Sequence, residues 1–509
     1  MSIEVFPVDW IARDLGKDDD AQYCVSVFGK TPDGRSACVH IEFYPYFFVG
    51  LPPAWQQGRQ RLWLQEAVTR HRASDQHSRL VSRVPMWGFT GGAQRPFALL
   101  AFRTLRAFSG ARYRFGRDRE QRMPTYEASV DPVVRLFHVR DIKPARWIAA
   151  QRCVPVRDRL TTCDVEVRCV FCNVGPATRV DRPPLVIASW DIECYSQSGR
   201  FPLADNPDDK VIQIATAFQR YGEDQPYLRT VVALGPTDAV EGAEVLTADT
   251  EPDVITRWTR LLRRERADVM LGYNTHQFDW KYVYGRAQVC VDDDTGEPLV
   301  DLSALGRVVP PAAQDEDDDA RPKRGGDAAA DPGAVHEWEL NSGAYGQNKF
   351  FVLRTPGVLQ IDLLQYVRRE FKLASFSLNA VSEHFLGDKK LDLPAAQIFA
   401  KFRGSSADRA DIARYAVKDT ELPLRLLRRL SVLENLLEMA NAGKRGGQVG
   451  WWVGFWAGRS TAEQHDHGAA ALLCGGADPG PDGALGGPAG GGLPGGGLAG
   501  GGLPGLAAG

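Results

Sequence analysis

The chain has 509 residues, enough for several well-buried cores, and its 44% hydrophobic and 25% charged content is ordinary for a globular protein. A net charge of −3 gives no sign of a nucleic-acid partner, and no apolar run approaches the length of a membrane span. The opening MSIEVFPVDW lacks a basic stretch followed by an apolar one, and nine scattered cysteines fit reduced thiols better than a disulfide framework, so an intracellular protein is expected.

Residues 1–180 read as short strands and turns. CVHIEFYPYFFVG (38–50) is rich in aromatic and β-branched residues, PFALLAFRTL (96–105) is a second apolar run, and VVRLFHV (133–139) alternates as a strand would. A β-rich α+β N-terminal domain is expected there. This half holds 27 Lys and Arg against 18 Asp and Glu. Arg103, Arg106, Arg112, Arg114, Arg117, Arg119 and Arg122 are interleaved with Phe108, Tyr113 and Phe115. Such a mixture can neutralise phosphates and stack on bases, or it can be a solvated face with core aromatics behind it. Cys163, Cys169 and Cys172 have zinc-like spacing, but no second pair or His follows, and TCDVEVRCVFC alternates like a strand.

Arg182-Pro183-Pro184 reads as a hinge into a second domain, residues 181–441. LVIASWDIE (185–193), KVIQIATAF (210–218) and LRTVVAL (228–234) are three strand-like runs. In the next segment Val254, Ile255, Trp258, Leu261 and Leu262 form one helical stripe, with Pro252 placed to start the helix. VMLGYN (269–274) comes next as a buried strand, so the expected architecture is a mixed sheet flanked by helices. Residues 312–333 are charged and Gly/Ala/Pro-rich and read as a disordered insertion. Residues 442–509 read as an unrelated, low-complexity tail, with the reading frame interrupted near residue 441.

Three separated segments present an acid where chemistry could use one. Asp191 and Glu193, two apart in a strand, point to one face together with Ser189, while Trp190 and Ile192 take the other. Two carboxylates on one buried face repel and lose solvation, and a divalent cation relieves both. Asp279 begins the helix after the 269–274 strand, where an acid also serves as a cap or first-turn charge. Ile412, Tyr415, Ala416, Asp419, Leu422, Leu426 and Leu430 share one helical face, which places Asp419 on the apolar stripe one turn after Tyr415. Four acids so distributed are what two-metal phosphodiester hydrolysis requires, and an all-oxygen ligand set suits Mg²⁺ or Mn²⁺.

DIE (191–193), YNxxxFD (273–279) and YxxxD (415–419) resemble, in that order, the three exonuclease motifs of family-B DNA polymerases. DVMLGYNTHQFDWKYVYGRA, FKLASFSLNAVSEHFLGDKK and the helix around Asp419 resemble the delta-type enzymes, and ELNSGAYGQNKFFVLRTPGVLQIDLLQ resembles the delta-like polymerases of large DNA viruses. FYPYFFV and TYEASVDPVVRLFHVRDIKPARW are similar to the family's N-terminal domain, so the resemblance spans roughly residues 1–441. It implies an α/β ribonuclease-H-like exonuclease domain after the β-rich one, and a proofreading 3′→5′ exonuclease acting on a single-stranded or frayed DNA 3′ end. By the same resemblance Asp191 bridges two metals, Glu193 holds one metal and the attacking water, Asp279 binds the second and Asp419 the first. Tyr415 orients the water, while Asn274 and Phe278 contact the DNA. A sliding clamp or accessory subunits are the implied partners, and the nucleus or a viral replication site the implied location. Palm motifs resembling SLYPS and YGDTDS do not occur, so a truncated polymerase without nucleotide incorporation is expected. The alternatives are a stand-alone repair exonuclease of the same superfold and a gene fragment or nucleic-acid-binding module without catalysis of its own.

Overall fold

A computed structural model describes residues 1–443, apart from 17–19, 86–90, 118–122, 310–332, 334, 343–345 and 389–392. The expected insertion at 312–333 and tail at 442–509 therefore lie outside the described residues, save Gly333 and the last two residues of a helix ending at Gly443. Strands β1 (Ile3–Leu15), β2 (Gln22–Lys30) and β3 (Ser36–Glu42) form an antiparallel meander whose β2 is buried from end to end. Next come β4 (Tyr46–Gly50), α1 (Gln57–His71), β5 (Arg79–Arg83), β6 (Arg95–Ala101), α2 (Leu105–Arg117) and β7 (Thr125–Tyr126), whose strands make a separate sheet ordered β5-β6-β4-β7. Phe108 and Phe115 of α2 pack into that sheet's core, Phe115 stacking on His71 at 4.5 Å. Only Tyr113 of the three aromatics stands exposed among the arginines, and Arg119 and Arg122 fall outside the described residues.

The alternating run at 133–139 is a helix, α3 (Pro132–Arg140), and not a strand. Asp131 caps it by accepting from Val133 N and Val134 N, Pro132 sits at its first position, and Val133, Leu136 and Phe137 supply a buried i, i+3, i+4 face. Local capping chemistry outweighed a short alternation. Strands β8 (Ile148–Ala150), β9 (Val154–Pro155), β10 (Val165–Val170) and β11 (Val174–Pro176) then complete a seven-stranded sheet ordered β11-β8-β1-β2-β3-β10-β9. Cys169 is buried on β10 and Cys172 is exposed just beyond it, and among the described residues no cysteine belongs to a group that could hold a metal.

A six-stranded mixed sheet carries the acids. In chain order its parts are β12 (Val186–Tyr195), β13 (Lys210–Arg220), β14 (Leu228–Leu234), β15 (Glu244–Ala248), α4 (Glu251–Glu265), β16 (Val269–Gly272) and α5 (Asp279–Val289). The hairpin β17 (Val335–Ser342) and β18 (Gly346–Leu353) comes next, then β19 (Leu359–Asp362), α6 (Leu363–Glu370), α7 (Leu378–Leu386), α8 (Ala395–Phe402), α9 (Ser406–Arg429) and α10 (Val432–Gly443). The sheet order is β15-β14-β13-β12-β16-β19, with β12 central, antiparallel to β13 and parallel to β16. One face is covered by α4, where Thr250 caps the helix and the expected stripe Val254, Ile255, Trp258, Leu261 and Leu262 is buried. The other face is covered by α9, whose Ala410, Ala413 and Ala416 meet Ala215, Val231 and Ala233 of the sheet. Small side chains on both surfaces let this helix lie close.

The two halves share one core. A single apolar cluster runs from Val5 and Trp10 through Ile187, Val269 and Ile361 to Leu437 and Ala440. A buried charge knot crosses the same junction. Asp268, wholly buried before β16, accepts from Val186 N (2.8 Å) and pairs with Lys30 of β2 (3.2 Å) and Arg307 (2.6 Å). Asp268→Ala leaves two buried cations without their partner, and the expected loss is about 3–5 kcal/mol of unfolding free energy, measured by urea denaturation. A change within about 0.5 kcal/mol, the range for surface substitutions, would contradict this account.

Candidate active site

Strand β12 gives the first two acids. Asp191 pairs opposite Ala215 and Glu193 opposite Gln213, so both carboxylates project toward α9, and the small Ala215 leaves room above Asp191. On the reverse face Trp190 packs in an aromatic cluster with Trp258 of α4 (centroids 4.9 Å) and Trp280 of α5 (4.6 Å). That cluster also places the third acid. Trp280 follows Asp279, just as Asp191 follows Trp190, so anchoring one tryptophan on the other brings the two aspartates together. Asp279 is the first residue of α5, as expected, and is buried. Its carboxyl lies within hydrogen-bonding reach of that of Asp191, a contact that favours holding a proton on the pair.

Helix α9 supplies the fourth acid. Ile412, Tyr415, Ala416, Asp419, Leu422 and Leu426 are all buried, as the periodicity requires, whereas Arg414 is exposed. The close alanine contact lowers Asp419 onto β12, where its carboxylate, with those of Asp191 and Glu193, places ligand atoms within 4.8 Å of one another. The Tyr415 hydroxyl donates to Asp419. The structure thus brings Asp191, Glu193, Asp279, Tyr415 and Asp419 to one place.

The electrostatics stem from this crowding. Burial, reinforced by the neighbouring Asp191 and Asp362, pushes the Asp279 carboxyl well above the usual carboxylate range. Burial first, then the charges of Asp419, Glu193 and Asp191, also pushes the Tyr415 phenol up, so this tyrosine is neutral and a donor at any physiological pH. A close set of hard oxygen ligands, too near one another to carry full charge unaided, fits a divalent cation such as Mg²⁺ or Mn²⁺ and does not fit the thiolate–imidazole preference of zinc.

Beside the acids lies a tight turn from Tyr273 to Phe278. Asn274 adopts a left-handed conformation (φ 69°), and its side-chain Oδ1 is buried with no hydrogen-bond partner among the described residues. The turn begins at Gly272, where a side chain would collide with Thr275. Phe278 directly precedes Asp279 and contacts Phe201 (5.4 Å), a ring 69% exposed on the loop between β12 and β13. Arg286 pins that loop by donating to Ala204 O and Asn206 O while forming a buried pair with Glu251 (2.7 Å). Phe201 escaped the sequence reading, though a lone aromatic within polar text directly after the acid-bearing strand was a usable signal. Asp362 escaped it too. It ends β19, is buried, and accepts from Asn274 N (2.8 Å), His276 N (3.2 Å) and Leu364 N (3.0 Å).

A central strand carrying paired acids, with further acids from a following helix and from one crossing the sheet, defines a ribonuclease-H-like nuclease domain. The family model described as "DNA polymerase family B, exonuclease domain" matches residues 123–381, and the chain belongs to the family-B DNA polymerases. It is 45% identical over 440 residues to a DNA polymerase of Paramecium bursaria Chlorella virus NY2A, covering 86% of this chain and 46% of that protein. It is 32% identical over 450 residues to the DNA polymerase delta catalytic subunit of Bos taurus, covering 83% of this chain and 38% of that one. The chain spans less than half the length of these relatives. In fold it is similar to the family-B polymerase of the archaeon Pyrobaculum calidifontis, with a TM-score of 0.56 at 19% identity over 90% of this chain and 48% of that one.

Because the Asp279 carboxyl titrates higher when folded, the folded protein binds the extra proton. The stability this group contributes is complete below the ordinary carboxylate pKa of about 4 and is lost as pH rises through the elevated value. Thermal melts in chelator are expected to show Asp279→Asn more stable than the parent, with the gap widening from pH 5 to pH 8 and closing when Mg²⁺ is added. A variant less stable than the parent across this range would assign Asp279 a structural role.

Proposed function

We propose that the chain is a proofreading exonuclease that hydrolyses the 3′-terminal phosphodiester of DNA and releases mononucleotides. The observation that carries this reading is the gathering of Asp191, Glu193 and Asp419 within 4.8 Å, with Asp279 bonded to Asp191 and Tyr415 to Asp419. Asp191 belongs to both groupings, the place a residue shared by two cations would occupy. Two such ions, when held there, supply an activated water and stabilise the leaving 3′ oxygen. The chain's own residues do the rest. Glu193 and Tyr415 hold and orient the attacking water, Tyr415 through a hydroxyl that stays protonated. Asn274 and Phe278 receive the terminal nucleotide, and the exposed Phe201 extends the aromatic surface on which an unpaired base stacks.

Partner and setting derive from the same reading. A duplex end must fray before its terminus can reach acids flanked by the paired rings of Phe201 and Phe278, so single-stranded and mismatched ends are the preferred substrates. We propose that the activity serves DNA replication, in the nucleus or at a viral replication site. Among the described residues no helix is long and apolar enough to cross a membrane.

Asp191→Ala and Asp419→Ala are expected to reduce the rate of 3′ nucleotide release by more than 100-fold, beyond the roughly 10–100-fold typical of residues one step removed from a metal. DNA binding is expected to persist, since phosphate contacts lie along a wider surface. Tyr415→Phe falls within that roughly 10–100-fold range, because its hydroxyl orients water and is not a ligand. End-labelled DNA resolved on gels checks all three. Binding of DNA without hydrolysis in either Mg²⁺ or Mn²⁺ would instead make the chain a binding module, and equal rates on matched and mismatched ends would count against proofreading.

A further inference from the structure

We propose that Asp362 is a positioning residue for the exonuclease reaction, holding the turn that presents Asn274, Phe278 and Asp279 to the terminal nucleotide. This assignment rests on the exonuclease reading of the site. Among the described residues Asp362 is not one of the three acids whose ligand atoms lie within 4.8 Å of one another, and its carboxylate is engaged by backbone N–H groups of the turn and of α6.

The geometry begins in the sheet. β16 and β19 are parallel neighbours, and Gly272 stands in register with Asp362, so the strand that leads into the turn and the strand that ends in this carboxylate stop side by side. Oδ1 accepts from Asn274 N at 2.8 Å and from Leu364 N at 3.0 Å, while Oδ2 accepts from His276 N at 3.2 Å. Charge-assisted bonds of this kind, in a buried setting, are stronger than neutral ones.

The turn needs that grip. Asn274 at φ 69° occupies a region that non-glycine residues visit uncommonly, and such a conformation persists only where its surroundings over-determine it. Fixing Asn274 also fixes the next turn of chain, since Gln277 N and Phe278 N both donate to Asn274 O (3.1 and 3.2 Å) and Trp280 N donates to Thr275 O (3.1 Å). From the other side Phe351 N donates to His276 O at 2.7 Å. The position of Asp362 is thereby transmitted to Phe278 against Phe201 and to Asp279 beside Asp191.

The competing role is an ordinary helix cap, since Asp362 is also the N-cap of α6. Asp362→Ser separates the two. Serine is a competent N-cap, yet its single short hydroxyl cannot bond both Asn274 N and His276 N. The test compares the full chain with this variant by steady-state hydrolysis of single-stranded DNA and by thermal melting. It adds the fluorescence of 2-aminopurine at the 3′ terminus in chelator, which reads capture of the end without hydrolysis. The expected result is a loss of about 100-fold in kcat/KM, the scale of a 1 Å misplacement near the chemistry, with KM raised. Capture of the labelled terminus weakens about 10-fold, the low end for residues supporting a site at one remove, and Tm falls by less than about 4 °C.

Unchanged KM and unchanged capture would overturn the proposal, whatever happens to Tm, and leave Asp362 as a cap alone. Should the serine variant fail to fold, Asp362→Asn is the second probe. It keeps the side chain's size but turns an amide NH₂ toward one of the three N–H groups, and capture is again expected to weaken. If the parent chain captures the terminus but does not hydrolyse it, the hydrolytic reading fails, while loss of capture in the variant still establishes the positioning role.

Discussion

Four carboxylates share one largely buried space, and the rest of this fold is arranged around keeping them there. Two like charges 4 Å apart repel by about 4 kcal/mol at an effective dielectric of about 20, a large fraction of the roughly 5–15 kcal/mol by which a typical domain is stable. No acid in the group could hold its place by its own contacts. Each is instead carried on a rigid element whose far side is anchored in apolar packing. Trp190 fixes Asp191, Trp280 fixes Asp279, and the alanine stripe of α9 fixes Asp419. Burying one such large side chain contributes about 1.5–3 kcal/mol, so several anchors are needed to offset the repulsion, and several are present. The raised pKa of Asp279, caused by burial and then by the charge of Asp191, favours a proton there that relieves part of the repulsion in the metal-free protein.

Much of this was legible in the amino-acid order because it is periodic. The face of β12 that carries Asp191 and Glu193 can be read from alternation alone, and Asp419 betrayed itself by lying on the apolar stripe of α9 instead of among Arg414 and Lys418. Asp279 was locatable but ambiguous, since an acid at a helix start needs no chemistry to explain it. The features that resisted were either short or remote. The helix at Pro132–Arg140 has an alternating core, and only its cap and proline distinguish it from a strand. Asp362 lies 88 residues from its partner Asn274, and no local pattern announces that two parallel strands will end in register. Phe201 is meaningful only when Phe278 is seen beside it.

The aromatic–arginine stretch of the N-terminal half illustrates the same limit. Interleaving in sequence looked like a surface that could both stack and neutralise. In three dimensions the helix α2 sorts it by period, with Phe108 and Phe115 turned into the sheet and Tyr113 left outside. A mixed composition cannot say which residues face outward until the periodicity of the element that carries them is known.

The knot of Lys30, Asp268 and Arg307 has a consequence for how this pair of domains can be separated. The sequence reads as two consecutive modules, and a natural experiment in gene shuffling would cut between them near the Arg182-Pro183-Pro184 hinge. Such a cut would strand a buried aspartate and an arginine on one piece and their lysine on the other, and would halve a core that runs from Val5 to Ala440. The acid-bearing domain is therefore a poor cassette. Packing ties it to the β-rich segment in front of it, and either piece moved alone would carry an opened core and an unpaired buried charge.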